Sequence, residues 1–512
     1  MRLIEFKIKN FRGYKDEVSI KIDDLTVVVG RNDIGKSTIL EAMDIFFNDK
    51  NAFHPLEFAD INKEAMAAGD KETVLTAVFD RLPDEIIIDD SVTTKLSDEY
   101  LLDDQNHLVV IKRYSSAGKA KVTIWANHPS NPNCNNLLLQ KIGDLKVKAS
   151  GLTCEDWTKK NLIRKAIWTH YHDDLQLKLS EIDTTGDGMK DLWAKLENYI
   201  PIYSLFQSDR SNNDKDKEAQ DPMKEAVKEI LGDPHILSTL EMVAKDVLNK
   251  IKEVTDATLN KLSDMNPQIA NSLSPSLPSV ESLKWADVFK NISITGDDDI
   301  AINKRGSGVK RLILLNFFRA KAERIMKETN HTSIIYAIEE PETSQHISHQ
   351  RILIQAFKDI ALQPNAQILL TTHSSHIVKM MSFDNLRLID SDGSSKVIKN
   401  VKPSCLPFPS LNEINFSSFG ELSIDYHNEL YGHLQYKAIE ENVVNCKEDD
   451  FDNWLVNHGC QKTKTWKKEK QNGNLSEKLF TTQTYIRNYI HHPENKHNDN
   501  YKECELKTSI EE

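Results

Sequence analysis

A chain of 512 residues is too long for one ordinary domain and predicts two or three. Hydrophobic residues at 39% suffice for a packed core, and a formal net charge of -13 excludes binding nucleic acid through the bulk field, leaving only a local basic patch for such contact. No window reaches the roughly 18 apolar residues of a membrane helix, and the six cysteines form no C-x-x-C pair, as expected of reduced thiols in a cytoplasm rather than a disulfide frame or zinc site.

Leu3, Ile4, Phe6 and Ile8 alternate as a first strand, and Val18, Ile20 and Ile22 as a second. Leu25 to Val29 is a continuous apolar run, the pattern of a strand buried on both faces. It leads into Gly30-Arg31-Asn32-Asp33-Ile34-Gly35-Lys36-Ser37, a full match to G-x-x-x-x-G-K-[ST]. A helix is expected from about Lys36 to Phe47, with Ile39, Leu40, Met43 and Phe46 on one side. Gly30 and Gly35 let the backbone wrap so that its N–H groups point at phosphates, and the helix N-terminus favours an anion. Lys36 would reach the β- and γ-phosphates and the Ser37 hydroxyl would bind Mg²⁺, with Asn32 and Thr38 as further nucleotide contacts.

Strand-like runs follow at Thr73 to Phe79, His107 to Ile111 and Val122 to Trp125, then an amphipathic helix at Asp156 to His170. Residues 213–270 turn charged, with Ile230, Leu237, Leu240, Val243, Val247 and Ile251 at helical spacing, which predicts a helical insertion or short coiled-coil arm. Ser272 to Pro278 ends it as a linker. Further on, Gly306-Ser307-Gly308 precedes an apolar helix at Leu312 to Phe318. A serine between glycines at a helix start is a second anion-binding end, and in a chain that already has a phosphate loop it invites a site shared by two copies.

The apolar strand Ser333 to Ile338 runs into Glu339-Glu340-Pro341-Glu342. Glu339 is placed to hold the Mg²⁺ shell and Glu340 to orient or deprotonate the attacking water. Ile368 to Thr372 is another buried strand, ending at His373, which can contact the γ-phosphate or that water.

Together these motifs resemble the ABC-type ATPases of the SMC-like branch and, within it, the OLD-like (AAA15) bacterial ATPases. Asn10-Phe11-Arg12-Gly13-Tyr14 is similar to that group's N-terminal Asn-Phe-Arg element, which puts Arg12 among the nucleotide contacts. Gly30 to Ser37 stands as Walker A and Ile334 to Glu340 as Walker B. Ser307 and Gly308 belong to the signature, His373 is the switch histidine, and Gln207 is the Q-loop residue near the metal. The signature departs from Leu-Ser-Gly-Gly-Gln, with Val309 for the second glycine and Lys310 for the glutamine.

The resemblance, over roughly residues 1–80 and 200–390, implies an α/β head of ABC (SMC-like) type split by the helical insertion. Beyond residue 400 the composition shifts to a polar, mainly helical C-terminal region with a basic run, Lys462 to Lys470. The expected parts are residues 1–211, the insertion 212–278, the second half of the head 279–400, and a tail 401–512. ATP and Mg²⁺ are the implied cofactors, and a homodimer or higher homo-oligomer through ATP-bound heads the implied assembly.

Many OLD-like proteins continue into a Toprim nuclease, but no Glu plus Asp-x-Asp cluster follows residue 380; Asp390-Ser391-Asp392 reads as a turn. The tail instead carries Arg487 and His492 at the Arg-x4-His spacing of HEPN-type helical domains, many of which are RNases. The expected role is therefore an ATPase working with a separate nuclease, as in Septu-type or retron-linked antiphage modules. An ATPase-gated RNase toxin using Arg487 and His492, and a DNA repair or recombination ATPase, are the alternatives. Direct nucleic-acid contact stays open, and no membrane role is expected.

Overall fold

The computed structural model describes residues 1–89, 92–115, 120–207, 231, 233–265, 333–343, 346–392, 395–441, 447–469 and 473–512. The chain divides into two units, Met1–Ser208 with Ala322–Glu512, and Asp209–Lys321.

The first unit begins with β1 (Arg2–Lys9), β2 (Val18–Lys21), β3 (Leu25–Val29) and helix α1 (Lys36–Asn48). Next come β4 (Thr73–Asp80), a small hairpin of β5 (Ile86–Asp89) and β6 (Val92–Thr94), then β7 (Leu108–Tyr114) and β8 (Lys121–Pro129). β9 (Leu177–Asp183) and β10 (Ile202–Phe206) close this stretch. The chain re-enters the unit with β11 (Ile334–Glu339), β12 (Ala366–Thr371), β13 (Leu386–Asp392) and β14 (Ser395–Asn400).

These strands build two six-stranded sheets. One is antiparallel throughout, in the order β2-β1-β4-β7-β8-β9. The other runs β10-β11-β12-β3-β13-β14, parallel except for the last pair. β3 sits between β12 and β13, and all five of its residues are buried, which is why its sequence is apolar at every position rather than at alternate ones.

The antiparallel sheet, the parallel sheet and α1 share one core. Leu3, Phe6 and Phe79 come from the first sheet, Val28, Ile335 and Leu369 from the second, and Ile39, Leu40, Met43 and Phe46 from α1. The Phe46 ring meets Phe6 edge-on at 5.7 Å. The predicted face of α1 is thus the buried one. In the same unit Arg164, in the helix Lys160–His170, makes two 2.8 Å hydrogen bonds to Glu99, and both side chains are only 2% exposed. Such a pair holds only while both partners are present.

Asp390 to Asp392, expected in a turn, form the end of β13. The reason is pairing: Leu386 and Leu388 align with Val27 and Val29 of β3, while β14 returns along the other side. Among its described residues the tail holds five helices, Leu411–Phe419, Ile424–Glu440, Glu448–Asn457, Thr482–His491 and Glu503–Glu511. It also holds a hairpin of β15 (Lys462–Glu469) and β16 (Leu475–Thr481). The basic run starting at Lys462 is therefore strand. Thr463 and Thr465 favour it, Trp466 is buried, and Lys464 and Lys467 point to acids at Glu505 and Glu477.

In the second unit the described element is the 32-residue helix Pro234–Met265. Asp233 starts it by accepting from the His235 and Ile236 amides at 2.8 and 3.2 Å. Val243, Val247, Ile251 and Val254 lie exposed along one side of it.

Candidate active site

β3 delivers the phosphate loop. Gly30 has φ +152°, and a side-chain carbon there would lie 3.0 Å from the Ile389 carbonyl oxygen of β13, so the exit from the strand needs glycine. Gly35, at φ +107°, immediately precedes α1. Lys36, the first residue of α1, is 5% exposed and folds back into the loop, donating to the carbonyl oxygens of Gly30 at 3.0 Å and Arg31 at 2.9 Å. Burial lowers its pKa, while Glu340, Glu342, Asp33 and Glu339 work the other way. A buried ammonium at a helix N-terminus inside a wrapped backbone is an arrangement for a phosphate anion. Asn32 is exposed in the loop and Thr38 is partly buried in the first turn of α1.

Sheet order brings the second half of the site alongside. β11 and β12 pair from Ile334↔Ala366 to Glu339↔Thr371, and β12 neighbours β3. Glu339, the last residue of β11, thereby reaches the loop from 302 positions away and accepts a short hydrogen bond from the Ser37 hydroxyl. Hydroxyl and carboxylate oxygens suit Mg²⁺, a hard cation that keeps several waters and takes the rest of its ligands from phosphates. Among the described residues no group of three or more His, Cys, Asp or Glu could hold a metal alone. Gln207 follows β10 directly, one residue beyond the Phe206↔Ile338 pair, at the same edge as Glu339.

Glu340 has φ +40°, a left-handed backbone that a non-glycine residue before proline adopts only under strain of about 1–3 kcal/mol. Its amide donates to the Thr371 carbonyl oxygen at 3.1 Å, and its Oε1 lies 3.2 Å from His373 Nδ1. Glu342 completes the set. It is buried, and its Oε1 accepts from the Thr372 hydroxyl at 2.6 Å and the His373 amide at 3.0 Å, with His373 Nδ1 at 3.6 Å. Sequence reasoning assigned no role to Glu342. Its signal was the third acid of Glu-Glu-Pro-Glu, but its partners are made only when the turn after β11 folds toward the end of β12.

Arg12, expected among the nucleotide contacts, has acidic partners within the chain. Its guanidinium bridges Asp60 at 2.8 Å and Glu41 at 2.5 Å and lies over the Phe11 ring. Burial opposes its charge, yet the two acids prevail and its pKa is raised. Asn10 likewise ties backbone, donating to the carbonyl oxygens of Asp70 and Glu72 and accepting from the Asn62 amide. The Asn-Phe-Arg element thus fastens β1 to residues 60–72 and to α1. Arg31 of the loop reaches the tail, 2.7 Å from Glu421 and 3.0 Å from the Phe419 carbonyl oxygen.

Ser307 and Gly308 lie outside the described residues. Arg487 and His492 are both described, but the structure does not bring them together. Arg487 lies over the Tyr431 ring at 5.5 Å, whereas His492 lines a separate 510 Å³ pocket with Trp466, Phe480, Lys468 and Lys478 and pairs with Glu494. Arg487 lies within the helix Thr482–His491, whereas His492 follows its end with a non-helical backbone, so the two side chains leave in different directions.

A family profile described as an AAA ATPase domain matches residues 1–378. No curated protein sequence matches the chain. Among solved structures, the SMC head domain from Thermotoga maritima is similar at 11% identity and a TM-score of 0.34, covering 79% of this chain and 100% of that one. An SmcHead bound to the C-winged helix domain of ScpA is similar at 14% identity and a TM-score of 0.37, covering 81% and 100%.

Proposed function

The chain belongs to the AAA ATPase domain family and is an ATPase, and we propose that it hydrolyses ATP between two heads to control a separate nuclease in antiphage defence. The observation that carries the hydrolytic part is the set Glu340, Glu342 and His373, organised by buried hydrogen bonds next to the phosphate loop. Lys36 and the loop amides bind the phosphates, and Ser37 and Glu339 would hold Mg²⁺, which would supply charge neutralisation on the phosphate oxygens. Glu340 takes the proton of the water whose oxygen attacks the γ-phosphorus. His373, held by Glu342 through its amide, faces the γ-phosphate, and the bond to the ADP oxygen breaks.

Head-to-head assembly is favoured by the second anion-binding end at Gly306-Ser307-Gly308, which one chain with a complete loop does not need for itself. A separate effector is suggested by the resemblance of the motif set to ATPases that work with a partner nuclease. The test is sedimentation of the Glu340→Gln chain. ATP should convert it to a dimer, and Lys36→Ala or Ser307→Arg should abolish the conversion. A protein that binds ATP and stays monomeric would overturn the shared site. The purified chain should leave RNA and DNA intact with or without ATP; RNA cleavage lost on His492→Ala would favour the ribonuclease reading instead.

A further inference from the structure

The β13–β14 hairpin returns to the phosphate loop, and one of its side chains enters a slot there that no motif explains. Lys396, opposite Ser391 in the hairpin, places its Nζ over the Tyr14 ring, 4.8 Å from the centroid. A side-chain carbon built on Gly13 would lie 2.5 Å from that Nζ, and one on Gly35 2.8 Å. Gly35 is already required by its positive φ, but Gly13 has no left-handed backbone to account for it. What Gly13 leaves room for is the lysine. Tyr14 forms the floor: it is fully buried and donates its hydroxyl to the Gly35 carbonyl oxygen at 3.0 Å.

Among the described residues no anion pairs with the cation in this slot. Among the described residues the Tyr14 ring is the partner of the ammonium. Asp16, which accepts from Ser395 at 2.6 Å, and Asp390, which accepts from Lys399 at 2.8 Å, are engaged by other residues of the hairpin. Burial lowers the pKa of Lys396 as it does that of Lys36, but at Lys36 four acids work against the shift. A half-buried ammonium is costly unless paired, and this one stands against the residue that opens α1, where the helix terminus already favours a phosphate.

We propose that Lys396 is a ligand of the phosphate chain of a bound nucleoside di- or triphosphate, a second lysine supplied to the loop from outside its motif. The proposal rests on ATP binding at Gly30 to Ser37. Because Lys36 and Mg²⁺ already serve the γ-phosphate, Lys396 serves the part of the chain that ATP and ADP share.

Calorimetric titration of the full chain with ATP and with ADP tests it. Lys396→Met keeps a long side chain over Tyr14 but removes the charge. It should raise both dissociation constants about tenfold or more, the worth of one charge-assisted hydrogen bond. Lys396→Arg should recover most of the loss. Gly13→Ala, which displaces the ammonium without deleting it, should weaken both nucleotides as well and serves if the methionine variant fails to fold. Wild-type affinities in a folded Lys396→Met protein would overturn the proposal alone. A wild-type chain that bound neither nucleotide would overturn the ATP reading and this proposal with it.

Discussion

At His373 and at His492 an imidazole Nδ1 lies near a carboxylate oxygen, 3.2 Å from Glu340 in one case and 3.1 Å from Glu494 in the other. The distances match, and the surroundings do not. Glu340 is held in a strained backbone, and Glu342 is buried with one oxygen committed to Thr372 and the His373 amide. Two strands, β11 and β12, have to pair in parallel to make that arrangement. His492 and Glu494 are two residues apart, with side chains 50% and 72% exposed, and the arginine that would complete a catalytic pair packs on Tyr431. A contact that costs the fold nothing carries little information. Strain and buried carboxylates persist only where the surrounding structure enforces them.

The sharpest break in that comparison comes from removing one charge. Glu340→Gln should lower the steady-state rate of ATP hydrolysis by about 10²–10⁴, the usual worth of a positioned general base, and leave nucleotide binding in place. His492→Ala should leave the rate unchanged. A Glu340→Gln protein that still turns over ATP at the wild-type rate would put the base elsewhere and erase the distinction between the two histidines.

The loop, the acidic strand and the histidine strand were legible because each is local: a buried apolar run followed by the residues it presents. The order β10-β11-β12-β3-β13-β14, which brings Glu339 to Ser37, was not, since parallel pairing leaves no periodic mark linking strands some 300 residues apart. The same holds for Glu342, whose role depends on a turn folding toward another strand. Arg12 shows the limit of motif transfer. Its position near the loop follows from the Asn-Phe-Arg element, but the two acids that take its charge, Glu41 and Asp60, lie in segments no motif connects. In the tail, Lys462 onward read as a polar run in a helical region, and only cross-strand pairing with β16 makes it a sheet.

A third histidine refines the comparison on the structural side. His427, in the helix Ile424–Glu440, is 2% exposed, and burial lowers its pKa to about 4. The folded chain therefore keeps it neutral where the unfolded chain, titrating near 6.5, would bind a proton. Its neutral state supports folding above pH 6.5, and that contribution is lost as pH falls from about 6.5 to about 4, by at most about 3 kcal/mol. Urea unfolding of the tail region at several pH values should show this loss, and His427→Gln should shrink it. An identical loss in both proteins would show that the burial of this ring does not govern the acid response.

The smallest expected effect lies where the two regions touch. Arg31 of the phosphate loop pairs with Glu421, and its guanidinium lies 4.5 Å over the Phe419 ring. The side chains of Arg31 and Glu421 are 46% and 44% exposed, so water and salt screen the pair, and Glu421→Ala should cost less than about 1 kcal/mol, less still at high ionic strength. The loop's shape is set by Gly30, Gly35 and the Lys36 hydrogen bonds rather than by this contact, so ATP affinity should change by less than about threefold. A larger shift in ATP affinity would mean that the turn after Leu411–Phe419 helps to shape the nucleotide site. The tail would then be a working part of the ATPase rather than a neighbour of it.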